Sequence, residues 1–319
     1  MQKKIKKTLT LAIKILIGIL SFWIIYSRLI QIPYLKEQFS TIFQDPRMYM
    51  IMIVALFLMP FNWGIESYKW KLVTTQIEGI PYKIALKSVF SGICVGNITP
   101  GRAMEFLAKI YFFKPKNRPD VTVLHFINGM FQMLITVTVG LMAVSFKLSQ
   151  TNKASNFIYY VIIGGIFLIL FFCWAILNVS FIQNKLKRLK WFKINETAQI
   201  HFSKSLIIQL ISLSILRYLV FTSQFLILFN ALSPQNNLLE TFMSIAAYFM
   251  LTSLIPMVSF IEPAIRAAIA LFVFNTGDNT VYVVLSSTFV WLINVVVPSI
   301  IGYIIILREK IDFRSARAN

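Results

Sequence analysis

The chain has 319 residues, of which 57% are hydrophobic and only 13% are charged. Soluble domains contain about 45–50% apolar residues, so this composition excludes an ordinary water-soluble protein and favours lipid as the solvent. The formal net charge is +19, but the basic residues lie in short clusters between apolar runs, as they do in cytoplasmic loops of membrane proteins. This placement argues against a nucleic-acid partner.

Six apolar stretches are long enough to cross a hydrocarbon layer of ~30 Å, which takes about 20 helical residues. The first stretch follows a group of lysines and is too long for the apolar core of a cleaved signal peptide, so we interpret it as a retained span. In chain order the predicted spans are Leu9–Ile32, Met48–Lys69, Val121–Phe146, Phe157–Ile182, Ser205–Leu232 and Thr280–Leu307.

Two further apolar stretches are interrupted by proline. Ile84–Phe113 is broken at Asn97–Arg102, and Leu238–Phe274 is broken around Pro256–Pro263. Proline cannot continue a helix interior, and each arm is only about 12–17 residues long, too short to span the membrane. We therefore predict two re-entrant pairs of half-helices.

The order of these elements repeats. Two spans, a broken stretch and a further span are followed by the same series, with Pro100 and Pro256 156 residues apart and Glu105 and Glu262 157 apart. Each half crosses the membrane three times, an odd number, so the second half must be inverted relative to the first. The predicted fold is an all-α integral membrane protein with two inverted repeats in one compact membrane domain. The halves are 1–150 and 151–319.

The distribution of charge predicts the orientation. With a cytoplasmic N-terminus, the inner loops hold 22 of the 31 Lys and Arg residues, eight of them from Lys69 to Arg118, and the outer loops hold four, the other five lying within apolar segments. Positive loops stay inside, so we expect a multi-pass protein of the cytoplasmic membrane with both termini in the cytoplasm.

The first break is the main candidate site. A broken helix leaves backbone N–H and C=O groups that need partners, which is tolerated where the break lines a polar cavity. We expect the helix restarting after Pro100 and Gly101 to point its N–H groups into the membrane, where they and Arg102 suit a phosphate. A structural Arg102–Glu105 pair is the alternative. The predicted substrate-binding residues here are Asn97, Thr99, Pro100, Gly101, Arg102 and Glu105.

Charged residues elsewhere in the apolar stretches complete the predicted site. Glu262 and Arg266 lie four residues apart after the second break, and Arg217 lies in the middle of the fifth span. A charge at this depth needs a partner or a wet cavity, and it is usually functional. Glu66 and Glu262 are the candidate partners of Arg217. Structural ion pairs are the alternative reading for all of these residues.

Two polar faces are secondary candidates. Asn62, Glu66 and Lys69 share one face of the second span. The span Val121–Phe146 carries a narrow polar stripe, which either lines the cavity or provides hydrogen bonds between helices. The stripe consists of His125, Asn128, Gln132 and Thr136. The predicted secondary contacts are Asn62, Glu66, His125 and Gln132.

Motifs for catalysis and cofactors are missing from the sequence. There is no glycine-rich phosphate loop, zinc-protease motif or serine nucleophile motif. The two cysteines, Cys94 and Cys173, lie far apart within apolar runs and form no metal or disulfide pattern. We therefore predict no catalytic residues, metal or cofactor, and no ATP hydrolysis within this chain.

Two motifs resemble a known family. The segment Asn62-Trp63-x-x-Glu66-x-x-Lys69-Trp70 and the break Asn97-x-Thr99-Pro100-Gly101-Arg102-x-x-Glu105 are similar to those of the flippase-like family, which includes the membrane region of lysylphosphatidylglycerol synthases. The resemblance covers essentially the whole chain. The resemblance implies a lipid translocase module without the family's soluble aminoacyl-transfer domain, which has no counterpart in this sequence.

The sequence departs from the family pattern near both breaks, at Met104, Lys109 and Ser259–Phe260. The leading hypothesis is the flipping of a phospholipid, an aminoacylated lipid or a lipid-linked sugar, with a phosphate head group as the ligand. A membrane-embedded head-group transferase is one alternative. A non-catalytic partner of an envelope-lipid synthase is the other, and the departures favour it slightly. The sequence predicts no oligomeric state.

Overall fold

The structure is a computed structural model, and it describes most of the chain. The described residues are 23, 40, 42–99, 102–150, 156–187, 200–232, 237–255, 261–274 and 280–309. All regular secondary structure in these ranges is helical, which confirms the all-α class. The predicted first span, apart from Trp23, lies outside the described ranges, and so do residues 100–101 of the first break and 256–260 of the second.

Five helical segments in the described part are long and apolar enough to cross a membrane, which confirms the class of membrane protein. They are Pro46–Thr74, Pro115–Ser149, Tyr159–Leu177, Lys204–Leu232 and Thr280–Arg308. Four of the five predicted spans that fall within the described ranges are helical throughout, and the fifth, Phe157–Ile182, ends as a spanning helix at Leu177, where a turn at Asn178 precedes a shorter helix.

The helix that starts at Pro46 is capped as its sequence suggests. The Asp45 side chain accepts a hydrogen bond from the Arg47 backbone N–H, and Pro46 occupies the first helical position, where a missing N–H costs nothing. The helices of this half are α1 (Pro46–Thr74), α2 (Tyr82–Ile98), α3 (Glu105–Ile110) and α4 (Arg118–Gln150), with a 3₁₀ turn at Pro115–Asn117.

The first break differs from the prediction in its second arm. The arm has six helical residues, Glu105–Ile110, instead of 12 to 17, because a turn follows and Pro115 then starts a separate 3₁₀ turn. The helix also begins at Glu105 and lacks a side-chain cap. A helix therefore does restart after Pro100 and Gly101, but four residues after Gly101, and the expected contact of its N–H groups with a phosphate stays a prediction.

The second half keeps its break as two substantial arms. The helices are α5 (Asn156–Leu177), α6 (Val179–Lys187), α7 (Lys204–Leu232), α8 (Leu238–Leu254), α9 (Glu262–Phe274), α10 (Thr280–Trp291) and α11 (Val297–Arg308). A π-helical turn, Leu292–Val296, joins α10 to α11, so the last predicted span is one helix with a wide turn. The arms α8 and α9 have 17 and 13 residues, in line with the predicted lengths.

Three helix pairs form the centre of the described structure. Helix α1 packs along α7, α2 along α11, and α4 along α8. Two of these contacts depend on glycine: a Cβ at Gly302 would overlap the Phe90 carbonyl oxygen, and one at Gly140 would overlap the Met250 side chain. Close approach of backbones through small residues is how helices associate in lipid. Each pair joins the first half of the chain to the second.

Candidate functional site

The polar face of α1 points into the helix bundle. Asn62, Glu66 and Lys69 are separated by four and three residues, so they lie on one side of the helix, and all three are buried. The charge count behind the predicted orientation places Lys69 in a cytoplasmic loop. That assignment is wrong, because α1 continues to Thr74 and buries the lysine completely.

Arg217 of α7 meets this face. Its Nη1 atom lies 3.2 Å from Glu66 Oε2, and its Nε donates to Asn62 Oδ1 at 3.0 Å. The guanidinium also lies over the Trp63 ring, 5.0 Å from the centroid, and Nη1 donates to Gln132 Oε1 at 3.4 Å. Of the two predicted partners, Glu66 is therefore the one that contacts this arginine.

Glu66 is shared between two cations. Its Oε2 atom, which faces Arg217, is also 3.6 Å from Lys69 Nζ, while Oε1 accepts a hydrogen bond from Asn128 Nδ2 at 2.8 Å. Lys69 is fully buried, and its Nζ has no hydrogen-bond partner among the described residues. A buried ammonium group without hydrogen bonds is costly, so an acceptor supplied by a ligand would lower the free energy of this group.

The first break adds a second ionic group. Glu105 pairs with Arg102 Nε at 3.0 Å through one oxygen and with Lys109 Nζ at 2.9 Å through the other. Lys109 is buried, with its ammonium group 5.5 Å from the centre of the Trp70 ring. The count of basic residues in the predicted loops also places Lys109 in a cytoplasmic loop, and that assignment is wrong because the residue is buried.

Arg102 has an unusual backbone conformation. Its φ is 56°, and within the described residues it is the one non-glycine position with a positive φ. Such conformations cost energy for residues with a Cβ and concentrate at functional sites. The side chain is also the most exposed of the charged groups here, at 43%. A strained, accessible arginine beside a buried ion pair fits a ligand contact better than a purely structural role.

The two ionic groups form one charged cluster. Lys109 and Glu105 lie close enough to Glu66 to act on it electrostatically, as do Lys69 and Arg217. Four cations face two carboxylates, so the described part of the cluster has an excess of two positive charges. The charged cluster consists of Glu66, Lys69, Arg102, Glu105, Lys109 and Arg217.

The other predicted residues of the first break have structural contacts. Asn97 Nδ2 donates to Ser299 Oγ of α11 at 3.2 Å. The Thr99 hydroxyl lies 3.1 Å from the Gly96 carbonyl, to which it donates, and accepts from the Met104 backbone N–H at 3.2 Å. These bonds satisfy backbone groups freed by the break and attach it to the last helix.

Glu262 and Arg266 form a separate pair. Arg266 Nη2 is 2.7 Å from Glu262 Oε1, and its Nε donates to the same oxygen at 2.8 Å. The arginine also lies beside the Tyr248 hydroxyl. Within the described ranges no ion pair or hydrogen bond links this pair to the charged cluster, so the structure does not bring together the predicted residues of the two breaks.

The polar stripe of α4 divides between two roles. Asn128 and Gln132 bind the charged cluster, and Gln132 Nε2 also donates to the Ser214 carbonyl at 3.3 Å. His125 instead packs among the rings of Trp70, Phe106 and Phe126. It lines the aromatic wall behind Glu105 and is close enough to affect that carboxylate electrostatically.

A chain of amides extends the site toward α11 and was not predicted. Asn62 Nδ2 donates to Asn294 Oδ1 at 2.7 Å, Asn294 Nδ2 to Gln224 Oε1 at 2.9 Å, and Gln224 Nε2 to the Ala55 carbonyl at 2.8 Å. Asn294 lies in the π-helical turn, and such turns are frequent at functional sites. It is the only amide residue in the last span, which is the signal that could have found it.

An apolar groove lies on α1 and α7, the helices that carry Glu66 and Arg217. It has a volume of about 550 Å³ and opens to the surface. Tyr82 closes one end, where its hydroxyl donates to the Gly64 carbonyl at 3.3 Å. The groove is lined by Pro60, Phe61, Gly64, Ile65, Tyr68, Tyr82 and Leu213.

The site has no set of metal ligands: in the ranges that the structure describes, no three His, Cys, Asp or Glu side chains come together. Comparison of the chain with models of known protein families finds no match, and neither does comparison with curated protein sequences. The flippase-like resemblance therefore stays a prediction from its two motifs.

Proposed function

We propose that this protein translocates a membrane lipid with a phosphate head group, with the charged cluster as the head-group site. One observation carries the proposal: among the described residues of this membrane protein, two carboxylates face four cations and leave two positive charges uncompensated. A phosphate accepts several charge-assisted hydrogen bonds and supplies the missing negative charge.

The cost of buried charge supports this assignment. Lys69 and Lys109 are almost completely buried, and Arg217 is largely so. Ionised groups at membrane depth are rare and are usually paired or functional. A purely structural network would be expected to match its charges. The excess is instead suited to a ligand that brings its own charge.

The inverted repeat is part of the proposal. Helices α1 and α7 both have 29 residues, and α2 and α8 both have 17. The contacts are also exchanged between the halves, since α2 packs on the last helix of the second half and α8 on the last helix of the first. Pseudo-twofold symmetry gives this pattern. We propose that the halves rock about the α1–α7 contact and open the site to one leaflet at a time.

The apolar groove fits the same scheme. A lipid that places its phosphate at Arg217 needs an apolar path for its chains, and the groove lies on the same two helices. The lipid then remains half in the bilayer while its head group crosses. Movement in the cytoplasmic membrane, with both termini in the cytoplasm, completes the proposed topology.

The alternative of a head-group transferase has less support. A general base must be free to accept a proton, and both carboxylates of the charged cluster are paired with two cations each. His125 is enclosed by aromatic rings. No specific contact favours the role of a non-catalytic partner, which a stoichiometric co-purifying synthase would reveal.

The test is lipid movement in proteoliposomes. Fluorescent phosphatidylglycerol in the inner leaflet is followed by its accessibility to an external quencher. We expect wild-type protein to move it, and Arg217→Gln and Lys109→Met to reduce the rate at least tenfold. Lys83→Gln serves as the matched control, because Lys83 is exposed at the start of α2. The proposal would be contradicted if wild type and Arg217→Gln moved the lipid at equal rates, or if the wild-type protein moved no lipid at all.

A further inference from the structure

The charge excess also bears on which head groups fit, a question that rests on the proposed function. Zwitterionic head groups bring no net charge, phosphodiesters bring one negative charge, and phosphomonoesters or diphosphates bring about two. Each of these neutralises the cluster to a different extent. The number of unpaired cations and their position therefore decide between the classes.

The excess is not balanced by other acids in the described ranges. These other acids have partners outside the charged cluster. Glu262 pairs with Arg266, Glu309 pairs with Lys87, and Glu78 accepts from Asn117 at 2.8 Å. Asp45 caps α1, Asp120 accepts from Gln183, and Glu240 acts on Lys147 at the far end of α4.

The two surplus charges are held in different ways. Glu66 Oε2 already faces Arg217 at 3.2 Å, which leaves Lys69, at 3.6 Å and without a hydrogen bond, as the buried cation with the weakest partner. At the other carboxylate Lys109 is tightly held, and the exposed Arg102 can turn toward a ligand. One surplus cation is therefore buried and lacks an acceptor, and the other is accessible at the break.

We infer that the site selects a doubly negative head group, a phosphomonoester or a diphosphate, over singly charged and zwitterionic lipids. The terminal oxygens bind Lys69 and Arg102, and Arg217 shares the charge from the α7 side. A phosphodiester has one charged oxygen fewer than a phosphomonoester, and it leaves one of the two cations uncompensated. Selection then follows from charge matching within a poorly hydrated site.

Binding measured apart from transport tests this inference. The probes are dioctanoyl phosphatidic acid and dioctanoyl phosphatidylmethanol, which differ by one methyl group and one charge at about pH 8. Trp63 and Trp70 lie under Arg217 and Lys109, so their fluorescence reports occupancy once the other four of the six tryptophans are phenylalanine. We expect phosphatidic acid to bind about tenfold more tightly.

A lysine variant localises the preference. Lys69→Met should reduce the preference to less than about threefold, whereas Lys71→Met on the same helix should keep it, because Lys71 lies near Tyr68 outside the cluster. The comparison of the two lipids keeps Lys69 unmutated, so it does not depend on the folding of the Lys69→Met variant. Equal affinities there, or a full preference in a folded Lys69→Met protein, overturn the inference.

The outcomes also separate the two proposals. Tight, selective binding without movement in proteoliposomes overturns the proposed translocation and leaves the selectivity intact. Movement of phosphatidylmethanol as fast as phosphatidic acid, with equal affinities, overturns the selectivity and leaves translocation intact. Zwitterionic phosphatidylcholine with the same chains should bind most weakly, and stronger binding of that lipid counts against charge matching.

Discussion

Arg102 combines a charge with a strained backbone, and the two can be separated experimentally. Its φ of 56° disfavours any residue with a Cβ. Arg102→Ala should remove the charge and keep the strain, whereas Arg102→Gly should remove both. We therefore expect equal losses of transport in the two variants, with the glycine variant more stable by about 1 kcal/mol. Thermal unfolding in detergent measures the difference, and equal stability would show that the conformation is unstrained.

Glu66 is the residue on which the central ion network most depends. It faces Lys69 and Arg217 at once and accepts from Asn128. Glu66→Gln should destabilise the protein by about 3–5 kcal/mol, because two buried cations lose their carboxylate. The double variant Glu66→Gln/Lys69→Met should cost less than the sum of the two single changes. Additive losses in unfolding experiments would contradict the coupling.

At the scale of helices, Gly302 and Gly140 occupy comparable positions but should differ in tolerance. A Cβ at Gly302 meets the Phe90 carbonyl, which belongs to the backbone, whereas one at Gly140 meets the flexible Met250 side chain. Overpacking costs about 1–3 kcal/mol. Gly302→Ala should lie at the upper end of that range and Gly140→Ala at the lower end.

The control for this comparison is Gly164→Ala in α5, where an added Cβ meets nothing within 4 Å. Thermal stability in the same detergent gives the ranking. If Gly140→Ala is as harmful as Gly302→Ala, the two contacts are equally rigid and the argument from backbone overlap fails.

The helices were predictable because hydropathy is a local property. Runs such as Lys204–Leu232 can be identified as membrane-spanning helices from their composition alone. The length of α3 was not predictable in this way, since Glu105–Ile110 ends through a turn within an apolar stretch. The π-helical turn Leu292–Val296 was missed as well, because an extra residue in one turn of a helix does not change its composition.

The site was partly predictable for a related reason. A charge in an apolar run stands out, which identified Arg217 and Glu66, and the spacing on α1 gave the shared face. The partners of each charge depend on how distant helices pack. Sequence alone therefore left Glu66 and Glu262 equal as partners of Arg217, and it placed Lys69 and Lys109 in loops.

For the whole molecule, the proposed inverted topology predicts opposite access to the two breaks. In a chain without its native cysteines, Thr99→Cys should react with a membrane-impermeant thiol reagent from the cytoplasmic side, and Ser253→Cys from the outside. Both residues flank their breaks. Right-side-out and inverted vesicles provide the two arms. Reaction of both cysteines from the same side would rule out inversion, and with it the rocking scheme.

The pairing of α2 with α11 also bears on how the protein is made. Helix α2 leaves the ribosome roughly 200 residues before α11, which at ordinary rates of synthesis is roughly 10–40 s. During that interval the strip of α2 that later meets Gly302 lacks its neighbour α11. Cys94 lies on that strip and can serve as a native probe. In nascent chains stalled before residue 292 it should react with a lipid-soluble maleimide, and in the finished protein it should be protected.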